Sequence, residues 1–195
     1  MSRAALFTAL FQSDRAVEMS LTCARQLVLL FALSCVSLSD DFRLDLHRHL
    51  NKETLQKLDL IHSSFPIHCR SQGMKIKALD LMGIAANAKI ADRILIGYQV
   101  LHHISNIYRT NVSSIHWNKN DMEKFEVVLH RQIEELKYDL QVRLSKSKGT
   151  KKIRISKYFA KIGRFLKNKE YSLCAWEHIR IKTRRTIENI SKLLE

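Results

Sequence analysis

Nine histidines and four cysteines give this 195-residue chain its main capacity for chemistry, as metal ligands or nucleophiles. Spacing counts against the histidines. His47 and His49 are two apart and His102 and His103 are adjacent, so on a helix neither pair can close jointly on one ion. They read as surface or half-buried side chains. The chain has no Gly-rich phosphate loop, no nucleophile-elbow serine and no His-Glu-x-x-His pair. No catalytic residue, metal ligand or cofactor is assigned, and no enzymatic activity is expected. Cys69 and Cys174 could be zinc ligands, a reactive thiol pair or a disulfide, and compartment decides among these.

The compartment is legible near the N-terminus. An apolar run from Leu27 to Val36 follows Arg25 and ends in the small residues Ser37 and Ser39. It is too short to span a bilayer and has the layout of a secretory signal, so an extracellular product without stable membrane insertion is expected. Met1 to Glu18 lie in front, and Met19 opens a conventional n-region. Translation from Met19 is the preferred reading. Use of Met1 with a lengthened n-region stands beside it, as does an extension that impairs export and leaves some protein inside the cell. The chain thus divides into 1–39, extension plus signal (signal proper about 19–39), and 40–195, the folded domain. Cleavage after Ser39 removes Cys23 and Cys35, and the two remaining cysteines of a secreted domain, Cys69 and Cys174, should pair. The bridge would close a loop of about a hundred residues, which the chain-entropy estimate values at several kcal/mol.

Helices must position these residues. One proline and five glycines leave few breaks, helix formers fill the gaps between apolar positions, and alternating β-branched runs are scarce, so the fold class is all-α. A first helix is expected over about 41–61, capped by Asp40 or Asp41, with Phe42, Leu46, Leu50, Leu55, Leu58 and Ile61 inward. A long connection over 62–83 holds the only proline. A second helix is expected over about 85–109 on the stripe Ile90, Ile94, Tyr98, Leu101, Ile104 and Tyr108. Asn120 with Glu123 has the spacing of a reciprocal cap for a third helix, with Met122, Phe125, Leu129, Ile133, Leu136, Leu140 and Leu144 as its stripe. The basic stretch 145–150 links it to a fourth helix. There Ile155, Tyr158, Phe159, Ile162, Phe165 and Leu166 recur at intervals of three and four. The polar stretch Lys167 to Tyr171 leads to a fifth helix from about Ser172, carried by Trp176, Ile179, Thr183, Ile187, Ile190 and Leu194.

Tyr158-Phe159-x-x-Ile162-x-x-Phe165-Leu166 paired with Cys174-Ala175-Trp176 resembles the signature of the type I interferons, helical antiviral cytokines of vertebrates. Eight positions match over nineteen residues, with a departure at Lys161, where the family usually has a smaller polar residue or an arginine. Ser63 to Cys69 resembles the family's segment just after its first helix, and its cysteine agrees with the Cys69–Cys174 pairing. No counterpart of the family's frequent second bridge is present, which makes the single-disulfide, beta-like or kappa-like members the nearer comparison. The resemblance implies a five-helix, up-up-down-down bundle with long crossover loops. It implies a cytokine that bridges two different type I interferon receptor chains and so triggers JAK-STAT antiviral signalling through their cytoplasmic kinases.

In the family the high-affinity chain meets the first helix, the loop after it and the last helix. On that face Arg180 and Arg185 retain basic character, while Ile181 and Arg184 stand at positions of variable type. The loop departs: where the family commonly has a leucine and, three residues later, an arginine, Arg70 and Gly73 follow Cys69. Trp176 belongs to the motif but reads as core. The low-affinity chain would meet the second, third and fourth helices, where Ser156 replaces a frequent basic residue.

Charge is the rival signal. The chain carries 33 basic and 19 acidic residues; removing 1–39 takes three basic and two acidic groups and leaves 30 against 17, or +13. Such a surface suits nucleic acid, and Arg180, Lys182, Arg184 and Arg185 or the stretch 146–154 would be its contacts. It equally suits heparan-like polyanions or an acidic receptor face. A secretory signal and a disulfide are awkward for nucleic acid as primary partner, so that function, like a helical cytokine of another family, is the alternative. Sequons at Asn111 and Asn189 offer glycosylation sites in the secretory route.

Overall fold

A computed structural model describes residues 25–26, 43–62, 65–72, 75–110, 115, 117–143 and 152–194. The chain forms two compact units, 1–43 and 44–195. Of the first, residues 25 and 26 are helical and residue 43 opens a helix. The signal and its cleavage site, Phe42, the Asp40 or Asp41 cap, Gly73, Asn111, Leu144 and the 145–150 linker lie outside the described residues.

Helices make up the second unit, and no strand occurs among the described residues. Helix α1 covers 43–61. A 3-10 helix, Ile67–Gln72, and a four-residue helix, α2 (Leu81–Ile84), follow within the long connection. Then come α3 (Ile90–Tyr108), α4 (Lys119–Arg143), α5 (Lys152–Asn168) and α6 (Leu173–Leu194). The five long helices are those expected from periodicity, with corrected ends. The second was expected to start near Ala85 but starts at Ile90. Asp80 accepts a hydrogen bond from the Gly83 N–H at 2.8 Å, which opens α2 first, and Asn87 at φ 59° then turns the chain before α3. Helix α4 is capped by Asn118, whose Oδ1 accepts from the Asp121 N–H at 3.2 Å, and not by the Asn120–Glu123 pair. Between α5 and α6 the chain reverses through Glu170 and Tyr171 at φ 51° and 53°, with the Tyr171 N–H bonded to the Leu166 carbonyl at 2.9 Å.

Helix α3 lies at the centre, packed against α4, α5 and α6. Being covered on several sides, it buries Ile96 and Val100 as well as Ile94, Leu101, Ile104 and Tyr108, while Ile90 at its start is largely exposed. At one end of the core four rings meet: Tyr108 lies 5.1 Å from Phe125 and 5.6 Å from Trp176, and Trp176 lies 5.9 Å from Trp117. Burial raises the pKa of the Tyr108 phenol.

Between α1 and α4 the contact is polar. His47, Asn51 and Thr54 recur at intervals of four and three and face Gln132 and Asp139, seven apart, all five buried. His47 Nε2 and Asp139 Oδ2 are 2.6 Å apart, Thr54 Oγ1 donates to Gln132 Oε1 at 3.0 Å, and Gln132 Nε2 donates to Asn51 Oδ1. Hydrogen-bonding groups must meet specific partners, so this seam fixes the register of α1 on α4 in a way that interchangeable leucines would not.

Gly97 marks the close approach of α3 to α4 and α6. A Cβ there would meet Leu136 Cδ1 and Ile190 Cγ2 at 3.7 Å, ordinary contact distances. Gly97→Ala should therefore remove unfolded-chain freedom without a clash and raise stability by about 0.4–1 kcal/mol, measured as a higher denaturant midpoint at unchanged slope. A lower midpoint would mean that the helices cannot accept even one methyl group.

Candidate functional site

The connection from α1 to α3 is held against α6 by side chains spaced one helical turn apart. Cys174, His178 and Lys182 follow at intervals of four and so share one face of α6. Cys174 is bonded to Cys69 across a sequence separation of 105. His178 Nε2 donates to the Cys69 carbonyl at 3.1 Å, its ring lying 5.0 Å from that of Phe65. Lys182 Nζ donates to the Ile76 carbonyl at 2.7 Å. Burial, and then the neighbouring Arg185 charge, lowers the Lys182 pKa. Two residues on, Arg184 Nε reaches both oxygens of Asp59 on α1, at 3.1 and 3.3 Å, and its guanidinium also meets Glu188. Helix α1, the connection and α6 thereby present one continuous, fixed surface.

Beneath it lies a buried acid. Glu177 is 0% exposed, with Oε1 accepting from Trp117 Nε1 at 2.8 Å and Oε2 bound by Arg180 Nε and Nη2 at 3.0 Å. His62 Nδ1 stands 3.4 Å from Oε1. The carboxylate thus joins the end of α1, the α3–α4 connection and α6, and its charge is balanced inside the fold.

The last-helix residues expected on a binding face therefore separate. Arg180 is only 3% exposed and ion-paired to Glu177, so the expectation of a solvated basic contact is corrected: its guanidinium faces inward because Glu177, one turn earlier, is wholly buried. Ile181 is half-buried. Arg184 is half-buried and tied to Asp59 and Glu188, and Arg185 is exposed. Trp176 is fully buried, a core residue. Asn189 is half-buried within α6. Exposed apolar groups that periodicity did not single out lie on the connected elements, Leu60 on α1 at 58% and Ile67 in the 3-10 helix at 78%. Arg70 is exposed in that same 3-10 helix. Glu177 with Arg180, three apart and in phase with the apolar stripe, was the available signal of a buried pair.

Several histidines play structural parts. His47 is buried against Asp139, a correction to the surface or half-buried reading, and its polar partner on α4 explains why a ring can sit there. His103 is half-buried, stacks on Phe159 at 4.9 Å and meets Ser156 Oγ at 3.3 Å. His68, Cys69 and Cys174 gather within 4.8 Å, but the disulfide occupies both sulfurs and leaves no thiolate for a metal. Among the described residues, no helix is long and apolar enough to cross a membrane.

A family model for the interferon alpha/beta domain matches residues 44–195. Interferon beta-2 of Bos taurus is 30% identical over 176 residues, covering 88% of this chain and 95% of the relative. Human interferon beta is 28% identical over 178 residues, with the same coverage of each chain. Among solved structures, zebrafish interferon 1 superposes with a TM-score of 0.67 at 24% identity, over 78% of this chain and 96% of that one, which shows a shared fold.

Two stability predictions follow the two fastenings. Cys69→Ser and Cys174→Ser should each cost about 2–5 kcal/mol, and the pair together should cost little more than either, since both act through one bond. Additive losses in denaturant unfolding would mean that each sulfur contributes separately. Arg180→Ala should destabilise the fold by roughly 3–5 kcal/mol, because it strands a buried carboxylate; an unchanged unfolding midpoint would show that Glu177 finds other compensation.

Proposed function

The chain belongs to the type I interferon family, and from that membership we propose that it acts as a secreted antiviral cytokine bridging two different receptor chains. As an interferon-like cytokine it makes and breaks no bond. Each receptor chain is held by a separate face of one rigid body, and their cytoplasmic kinases are brought together to start JAK-STAT signalling; simultaneous occupancy, not either affinity alone, sets the response. Residues 1–39 are the proposed extension and signal, 40–195 the exported domain, and Asn111 and Asn189 the proposed glycan acceptors.

The observation that carries the assignment of a face is the fastening of the connection to α6 by Cys69–Cys174, His178 and Lys182. It supports a preformed site for the tighter-binding chain. Ordering a loop of this length at the moment of binding would subtract from affinity, and the tethers remove most of that cost. Exposed Leu60 and Ile67 supply apolar contact, and exposed Arg70 and Arg185 supply a basic rim for an acidic receptor face. Arg180 and Arg184 contribute indirectly, by holding Glu177 and Asp59. The other chain is placed on the face of α3, α4 and α5.

Binding of the secreted protein to the ectodomains of both type I interferon receptor chains, with STAT phosphorylation in responsive cells, tests this. Arg185→Glu should weaken binding to one chain by roughly five- to tenfold, mainly through slower association, and leave stability within about 0.5 kcal/mol. Ile67→Ala should weaken the same arm through faster dissociation. A folded protein that binds neither ectodomain sinks the proposal; unchanged binding by both variants moves the site off this face.

A further inference from the structure

We propose that the cleft between segment 75–80 and the N-terminal half of α5 binds a sulfated polysaccharide. It has a volume of about 470 Å³ and is lined by Lys75, Lys77, Arg154, Lys157 and Lys161 with a single acid, Asp80. Arg154, Lys157 and Lys161 stand three and four apart and so form one row along α5, with the two segment lysines as the opposing row. All five cations are exposed, and none has an ion-pair or hydrogen-bond partner among the described residues. Several cations elsewhere on the surface are matched: Arg48 with Asp45, Lys124 with Asp121, Lys137 with Glu134 and Arg184 with Asp59. The one carboxylate of the cleft is turned to its own backbone, accepting the Gly83 N–H. Five unmatched cations thus converge on one concave site, where fields add.

Shape and lining choose among polyanions. Ile76, Leu79, Ile84 and Tyr158 give the cleft an apolar floor, and the bond from Lys182 to the Ile76 carbonyl holds one wall in place. Two rows of cations over such a floor suit a flexible chain that carries charge at repeated intervals on apolar-faced rings. Single-stranded nucleic acid needs exposed aromatic platforms, and the one aromatic liner, Tyr158, is buried. Duplex grooves need a protruding element, not a cleft. The proposed export matters only for where the polymer would be met; the cleft uses none of the residues named as receptor contacts, although its α5 wall belongs to the face proposed for the second receptor chain.

The test uses the whole exported protein and a heparin-derived dodecasaccharide, with its desulfated form and a single-stranded DNA of equal charge as comparators. Lys75→Ala/Lys157→Ala/Lys161→Ala should weaken dodecasaccharide binding by about tenfold or more at physiological salt and flatten its salt dependence, as lost ion contacts require. Lys124→Ala/Lys137→Ala, a control at paired surface lysines, should change it by less than about twofold. Circular dichroism and the unfolding midpoint should be unchanged in both variants, because neither touches the core. Equal losses in cleft and control variants would overturn the site in favour of general charge, equal binding of the desulfated chain would overturn the ligand class, and tighter binding of DNA would assign the cleft to nucleic acid. Affinity of the triple variant for the tighter-binding receptor chain, measured alongside, should match that of the parent protein, since none of the three lysines is among its named contacts; retention of that binding with loss of saccharide binding separates this site from that receptor face, and loss of both overturns it as a separate site.

Discussion

Among its described residues the connection between α1 and α3 has a 3-10 helix and one four-residue helix of its own, too little regular structure to fix nearly thirty residues by backbone hydrogen bonds alone. Its place depends on the Cys69–Cys174 bond. That bond sets the level at which the connection meets α6, and the next two turns of the helix repeat the attachment with His178 and Lys182. Because both non-covalent bonds are donated to backbone carbonyls, they hold the path of the chain without engaging its side chains. A covalent tie at one end followed by weaker bonds in register is a way to give a loop the rigidity of a helix face, which a preformed binding surface requires.

Charge serves two different ends in this molecule. Inside, Glu177 gathers Trp117, Arg180 and His62, and His47 meets Asp139 in a seam with Asn51, Thr54 and Gln132. These groups contribute little net energy beyond what apolar packing would supply, yet each has a narrow choice of partner, so they select one arrangement of helices over its neighbours. Outside, some cations are paired, as Arg48 and Lys137 are, and five unpaired ones meet in the cleft beside α5. A net charge of +14 is therefore a poor description of where an acidic partner would bind. Location follows from which arginines and lysines already have a carboxylate.

Family membership and the physical reading of the residues meet at the motif of α5 and α6. Tyr158, Phe159, Ile162 and Leu166 are buried together with Trp176, and the turn through Glu170 and Tyr171 sets the two helices against each other. The residues that carry the resemblance are thus mostly those that make the core, while Ile67, Arg70 and Arg185, which face solvent, are free to differ without cost to the fold. A shared fold leaves the details of recognition to such positions.

The sequence by itself determined the helical class, the five long helices and most of their buried stripes, because periodicity of 3.6 residues is a local property that one chain can display. It also supplied the Cys69–Cys174 pairing, through a count of cysteines in the expected compartment. It misplaced the start of α3 and the cap of α4, where Asp80, Asn87 and Asn118 settle a choice between short-range hydrogen bonds of similar strength. Its one hint of a buried arginine is the phase of Glu177 and Arg180 with the apolar stripe, which does not by itself place them inside. Arg180 and Arg185 are the same residue type on the same helix, and only the packing of Glu177 against Trp117 draws the first inside. Likewise His47 and Thr54 are buried because Asp139 and Gln132 arrive opposite them from a helix some eighty to ninety residues away. Whether a polar group is core or surface depends on partners brought by tertiary structure, since burial is tolerated only where those partners meet it.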